Sequence, residues 1–542
     1  MKTVRSLLLG SAAGFVAVAG AQAADMPVKA KPVEYVKICT LYGAGFYYLP
    51  GTDICVKHGA YVRAQFYYNA GAAPSNGPFS NTSGQNTNFQ GSPNDLVGRA
   101  RSIYTLDART QTEYGTLRGY VLLGLTQDWP ANSLSPAGNA AQLYATRGFL
   151  QFAGFTLGKA TSFYDIYSAP ATSYFSVNSS DTGDAGQILV AYTFQFGNGF
   201  SATIAAEDPR RTTVVNTSIA GAAANPFLVG AAPTGDPDNV KWPDIVANLR
   251  VDQAWGSFQV MGALHDSSGA YFAPGIGVTC NVTATGGTLT GQLACGHPDD
   301  ELGFAVGVGG IFRIPMPSGL TDIASFQVNY TEGAVRYVNF TAPGAGGNSY
   351  FTSSSFLACP SAPPVVASAA NGLNTPACLG SIGLGYWTDG IYGNPGALFG
   401  YDGSVQKTKA WGANVSWDHL WTANLKTSLY ASYVKYEYNT VATGLIANAT
   451  CGVVGAAANT LTRMTNCDPD FNLIQVGSRT QWNITPSFYV GFDVMYEKID
   501  TAFAGAAFYT AATGQPRPTG NYSVEDQDNV KFTGRAHWDI LP

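Results

Sequence analysis

Polar and apolar residues alternate along this chain in blocks long enough to cross a membrane as tilted strands. In GAYVRAQFYY, Arg63, Gln65 and Tyr67 share one parity, while Val62, Ala64, Phe66 and Tyr68 share the other. From Leu96 onward, Arg99, Arg101, Thr105, Asp107, Arg109 and Gln111 fall on one face, and Ala100, Tyr104, Leu106 and Ala108 on the opposite one. Near the end, PSFYVGFDVMYE aligns Phe488, Val490, Phe492, Val494 and Tyr496. The last block, VKFTGRAHWDI, sets Lys531, Thr533, Arg535, His537 and Asp539 against Val530, Phe532, Ala536, Trp538 and Ile540. Strand side chains point to alternate faces, so each block has one wet and one apolar face.

The pattern predicts strands near 59–69, 96–111, 116–126, 144–153, 155–160, 187–196, 199–208, 244–253, 255–266, 302–314, 321–333, 405–417, 422–437, 470–482, 486–501 and 526–540. The facing of 405–417 reads either way. Short joints carrying turn residues, such as Glu113-Tyr114-Gly115, Gly197-Asn198-Gly199, 315–319 and 483–486, alternate with long ones rich in Gly, Ala, Ser, Asn and Pro. No apolar run is long enough for a transmembrane helix. Short turns on one side and long loops on the other are what a transmembrane β-barrel produces, so the expected fold is all-β: a 16-stranded antiparallel barrel.

Lys2 and Arg5 precede an apolar stretch from Leu7 to Ala21 and an Ala21-Gln22-Ala23 cleavage pattern, which reads as a secretory signal over 1–23. Residues 24–58 are expected to be a periplasmic-side N-terminal segment and 59–542 the barrel. Removing the leader's two basic groups leaves 27 (29 minus 2) against 35 acidic residues, a balance that disfavours nucleic acid as partner. Charged residues make up only 12%, well under the roughly 25% of a soluble domain.

Eight cysteines fall into close pairs: Cys39 with Cys55, Cys280 with Cys295, Cys359 with Cys378, and Cys451 with Cys467. In an exported chain this favours local disulfides, although sequence alone leaves the connectivity open. The first pair precedes the first strand and the others lie in long joints. Between Arg336 and Asp402 only Asp389 is charged, so that joint is expected to be exposed and ordered by its bridge, with a packed lid as the alternative.

No metal-ligand spacing, GxSxG or HExxH occurs, and neither a metal, a cofactor nor an enzymatic activity is expected. The acidic clusters at 236–239, 297–301 and 525–528 read as solvated loop ends. His265-Asp266-Ser267 reads as a strand end, because sequence neighbours rarely form a catalytic triad. A lumen that passes solutes needs a constriction and a field across it. The joint from Lys159 to Gln187 holds Asp165, Asp181 and Asp184 without Lys or Arg between 160 and 186, and is the candidate for folding inward. Arg63, Arg99, Arg101, Arg118 and Arg147 fit the parity of a facing basic wall.

CTLYGAGFYYLPGTDICVKHGAYVR, RGFLQFAGFTLGKATSFYD and QVGSRTQWNITPSFYVGFDVMYE resemble the general porins of alpha-proteobacteria, the rhizobial and Brucella-type family. The resemblance implies a multi-pass barrel in the bacterial outer membrane, a homotrimer embedded in its lipid, and passive diffusion of small hydrophilic solutes and ions. It also implies that the loop after FLQFAGFTLGK is the inward-folded constriction loop. Such barrels commonly end on an aromatic residue, whereas this sequence ends Trp538-Asp539-Ile540-Leu541-Pro542. Two other readings use the same fold: a substrate-selective channel, or a plugged barrel acting as enzyme or adhesin.

Overall fold

The computed structural model describes residues 37–68, 96–129, 142–166, 172–175, 177, 186–212, 214–217, 235–236, 241–272, 296–339, 347–351, 357–358, 377–378, 381–395, 398–450, 463–509 and 520–541. The leader, Asp181, Asp184, Cys280, Cys295, Cys359 and Cys451 lie outside these residues, as does the side chain of Cys378. The chain divides into two compact units at Val56/Lys57. In the first, Cys39 and Cys55 form a disulfide with Cα atoms 6.0 Å apart. Their sulfurs are buried with Phe46, and the strand Tyr47–Tyr48 pairs back onto Cys55 and Val56. Cys467 is also disulfide-bonded.

Sixteen antiparallel strands close on themselves: β1 Cys55–Tyr68, β2 Leu96–Thr112, β3 Gly115–Trp129, β4 Gln142–Phe152, β5 Phe155–Ala160, β6 Gln187–Gly197, β7 Phe200–Glu207, β8 Asp244–Gln253, β9 Gly256–Asp266, β10 Leu302–Pro315, β11 Thr321–Glu332, β12 Lys409–Thr422, β13 Leu425–Glu437, β14 Phe471–Thr485, β15 Phe488–Asp500 and β16 Gln527–Leu541. Each pairs with its sequence neighbour, and β16 pairs with β1 through Arg63↔His537 and Gln65↔Arg535. Closure leaves no strand edge unpaired, which a hydrocarbon environment requires. Asn198 and Gly199, with φ of 51° and 78°, make the two-residue turn between β6 and β7; positive φ at both positions gives the twist a tight hairpin needs.

Parity is obeyed around the ring. Val62, Phe66, Leu123, Phe194, Leu249, Val260, Val415, Val476 and Phe492 are exposed outward, whereas Gln65, Gln327, Asn329, Asn414, Gln475 and Arg479 are buried on the inner face. A belt of exposed apolar side chains around a polar interior suits a barrel whose solvent is lipid. The stretch expected at 405–417 is displaced. Strand β12 runs Lys409–Thr422 because its pairing with β11 extends from Glu332↔Lys409 to Ile323↔Asp418, with Ala410, Asn414 and Ser416 inward. Gln406 and Lys407 instead pair with Ile391 and Gly390 in a separate loop sheet.

At the long-joint end the loops build a roof with its own core. Leu384, Trp387 and Ile391 pack with Val434 and Tyr436 of β13, Phe471 and Leu473 of β14, and Ile499 of β15. Asp389 is fully buried. The joint around it is therefore a packed lid over these strands in its described part, not the exposed loop expected, because apolar side chains at lumenal positions give it something to cover. Within the next long joint, α1 (Thr440–Thr450) presents Ala442, Leu445 and Ile446 to the same core. Its N-terminus is capped by Asn439 Oδ1, which accepts from the Ala442 amide at 2.8 Å.

Candidate functional site

The joint between β5 and β6 is held at two places on the inner wall. At the first, the Phe163 amide donates to Glu207 Oε1 (2.9 Å), and the Phe163 carbonyl accepts from Asn248 Nδ2 (2.6 Å) and Gln259 Nε2 (3.2 Å). Tyr164 is fully buried, with its ring centroid 4.6 Å from that of Tyr337. Burial pushes its phenol well above the usual range, with the Arg210 guanidinium opposing, so it stays neutral. Glycine on the facing strand makes the space: a Cβ on Gly309 would lie 2.6 Å from Ile166 Cγ2, and one on Gly307 2.9 Å from the Tyr164 hydroxyl. Asp165 forms an ion pair with Arg210 at 3.0 Å, both side chains buried.

The second anchor is a single carboxylate on β15. Asp493 Oδ2 accepts from Ser173 Oγ (2.9 Å) and from the Tyr174 amide (2.6 Å), while its Oδ1 accepts from the Tyr430 hydroxyl (2.6 Å). Tyr174 also donates to Gln481 Oε1 at 3.2 Å. Phe175 lies against Tyr67 of β1, with ring centroids 6.0 Å apart. The two anchors sit on β7–β10 and on β13–β16 with β1, so the loop crosses the lumen. Ile166 and Ser173 are seven positions apart in the sequence, a reach of roughly 25 Å when extended. At Gly491 an added Cβ would collide with the Tyr174 hydroxyl. Gly491→Val is expected to displace the loop tip and alter conductance, whereas Gly534→Val, at an open outward position, is not; paired single-channel recordings check this.

Of the arginines singled out, Arg63 donates from Nε to His537 Nδ1 at 3.2 Å. Arg99 and Arg101 are buried; Arg101 lies 3.9 Å from the Tyr144 ring centroid and donates to Thr126 Oγ1 at 2.9 Å. Arg118 shares the Asp107 carboxylate with Arg109, both contacts at 2.8 Å, and also donates to Gln151 Oε1. Arg147 reaches Thr161 Oγ1 at 3.1 Å, at the start of the inward loop. Residues not singled out complete the tip's surroundings: Arg535 and Arg479 lie 3.8 and 5.1 Å from the Tyr174 ring centroid, and Lys531 lies 4.9 Å from that of Phe175. Arg479, Lys531 and Arg535 carry lumenal parity in the sequence, but nothing there pairs them with Tyr174 or Phe175.

Behind the first anchor a buried polar network joins separate joints. His265 Nδ1 lies 2.7 Å from Asp244 Oδ1 and its Nε2 3.4 Å from Asp389 Oδ2; Tyr337 donates to Asp244 at 2.7 Å. Asp389 also accepts from the Val335 and Thr212 amides. Ser267 Oγ donates to the Gly333 carbonyl, so His265-Asp266-Ser267 is a strand end built into this network.

This closed ring, apolar outside and with the β5–β6 loop held against its inner wall, is matched by a family. The sequence model described as the Porin subfamily matches residues 25–532. The chain belongs to that family. Porin Omp2b of Brucella melitensis biotype 1 is 30% identical over 267 residues, covering 47% of this chain and 64% of that protein. The Brucella suis biovar 1 protein of the same name matches equally. The chain thus spans under two thirds of the length of the curated relatives it matches. Among solved structures, the outer membrane channel DcaP of Acinetobacter baumannii superposes with a TM-score of 0.52 at 14% identity, covering 91% of this chain and 99% of that one, a likeness of fold. This porin is a barrel of the bacterial outer membrane.

Proposed function

We propose that the porin is a passive general diffusion channel for small hydrophilic solutes and ions. The observation that carries this reading is the loop fastened beside β7 through Asp165–Arg210 and to β15 through Asp493, which narrows a polar interior. Selectivity comes from the width at that loop and from a transverse field between its carboxylates and the arginines Arg63, Arg99, Arg101, Arg118 and Arg147. Asp165 contributes mainly as an anchor, since its charge is committed to Arg210. The acidic side of the field is assigned to Asp181 and Asp184. The working unit is a homotrimer in outer-membrane lipid, residues 1–23 are removed on export, and residues 24–58 lie on the periplasmic side.

Proteoliposome swelling tests the passive reading. Uptake of neutral sugars is expected to fall steeply with size and to rise linearly with concentration; saturation would favour a substrate-selective channel. Neutralising Asp181 and Asp184 together (D181N, D184N) is expected to move the reversal potential towards anion preference. An unchanged potential in that double variant would remove both residues from the constriction.

A further inference from the structure

On the outer face, close to the turn between β12 and β13, a polar island interrupts the apolar belt. Asp322 of β11 shares the parity of the exposed Val328 and Tyr330, and His419 of β12 that of the exposed Trp417 and Trp421, so both belong to the lipid side. Asp322 is nevertheless fully buried, because its neighbours cover it. Its Oδ2 accepts from Trp417 Nε1 at 3.0 Å and faces His419 Nδ1 at 2.8 Å, while its Oδ1 accepts from the Leu420 amide at 3.1 Å. The His419 ring has an indole on either side, its centroid 5.3 Å from that of Trp417 and 4.4 Å from that of Trp421. Strand pairing then sets His419 beside Thr427, and Thr427 beside Thr480. Thr427 Oγ1 accepts from Trp421 Nε1 at 2.9 Å and lies 3.1 Å from Thr480 Oγ1.

A carboxylate on the lipid face opposes insertion, least so near the membrane interface, and such residues commonly serve a function. Here it orients the imidazole. With the hydrogen on Nδ1 shared with Asp322, Nε2 carries a lone pair and faces away from the carboxylate. The donors reaching Asp322 are an indole, an amide and that imidazole, so in this tautomer the island keeps one negative charge. Outward it offers a lone pair, two hydroxyl oxygens and an indole face in a negative potential, which together suit an ammonium group that still carries hydrogens. The bilayer is the neighbour that this face meets. We propose that His419, Thr427, Thr480 and Trp421, backed by the Asp322 charge, bind the primary ammonium of an ethanolamine phospholipid. The inference needs only the barrel in its membrane, and not an open lumen.

The test uses the full-length porin in detergent, titrated with phosphatidylethanolamine and, separately, with phosphatidylglycerol, the lipid retained per chain being read by native mass spectrometry. The ethanolamine lipid is expected to bind at about tenfold lower concentration, a difference corresponding to about 1.4 kcal/mol. D322N, which removes the charge, is expected to bring the two titrations together. W421L, which keeps Asp322 and His419, is expected to lose most of the preference and gives a second reading should D322N fail to fold. Equal titrations for the two lipids in the wild-type protein would overturn the site while leaving the porin reading intact. A preference unchanged in both variants would overturn its placement. Thr480→Cys chains that crosslink to one another in the membrane would overturn the lipid as occupant, because a second copy would then cover this face.

Discussion

Single openings of an Asp493→Ala channel are expected to carry about twice the current of the parent in symmetrical salt, as the obstruction at the lumen's narrowest level is relieved. Asp493 is fully buried and accepts from Ser173, the Tyr174 amide and Tyr430, so one side chain holds the loop tip to the wall. Hydrogen bonds to a charged group contribute about 1.5–3 kcal/mol each, and truncation also leaves three donors facing a void. Asp493→Asn keeps one acceptor oxygen, enough for the Ser173 hydroxyl and the Tyr174 amide, and is expected to show a smaller change. Because the substitution also removes a carboxylate close to Arg479, the reversal potential is expected to shift towards anions. Unchanged conductance in the alanine variant would mean that the tip is held elsewhere.

Removing the guanidinium at the other anchor is expected to affect stability more than conductance. In Arg210→Ala the buried Asp165 carboxylate loses a cation at 3.0 Å, and breaking one side of a buried ion pair costs about 3–5 kcal/mol. Arg210 also lies 4.6 Å from the Tyr337 ring centroid, so the loss extends into the network of Asp244, His265 and Asp389. The expected result is a lower temperature for the heat-induced mobility shift on gels. Replacing both partners, Arg210→Met with Asp165→Leu, is expected to recover much of it, since a buried pair is often no better than apolar side chains of similar volume. Equal melting of Arg210→Ala and the parent would contradict the anchor.

The barrel was legible because lipid outside and water inside impose period-two patterning on nearly every strand, as in Arg63, Gln65 and Tyr67 against Val62, Ala64 and Phe66. Strand β12 resisted because its ends depend on the register with β11, which no local pattern encodes. The roof was misread for a more instructive reason. Val434, Tyr436, Leu473 and Ile499 are apolar at lumenal positions of three adjacent strands, and such a patch requires an apolar cover, which Leu384, Trp387 and Ile391 supply. At the site, lumenal parity marked Arg63, Arg99, Arg101, Arg118 and Arg147, but the partners of the inward loop lie far along the chain. Arg210 is 45 residues from Asp165, and Asp493 is 320 from Ser173. Glycines 307, 309 and 491, which leave room for the loop, are visible in the sequence only as glycines.

The central claim is an open lumen narrowed by a fastened loop, and current through the purified, detergent-extracted protein in a planar bilayer under a salt gradient tests it most directly. Stepwise ohmic openings with a reversal potential displaced from zero are the expected result, the sign showing which charged wall dominates. No current from protein shown to be folded by its heat-modifiable mobility would contradict the claim and make the barrel a closed one.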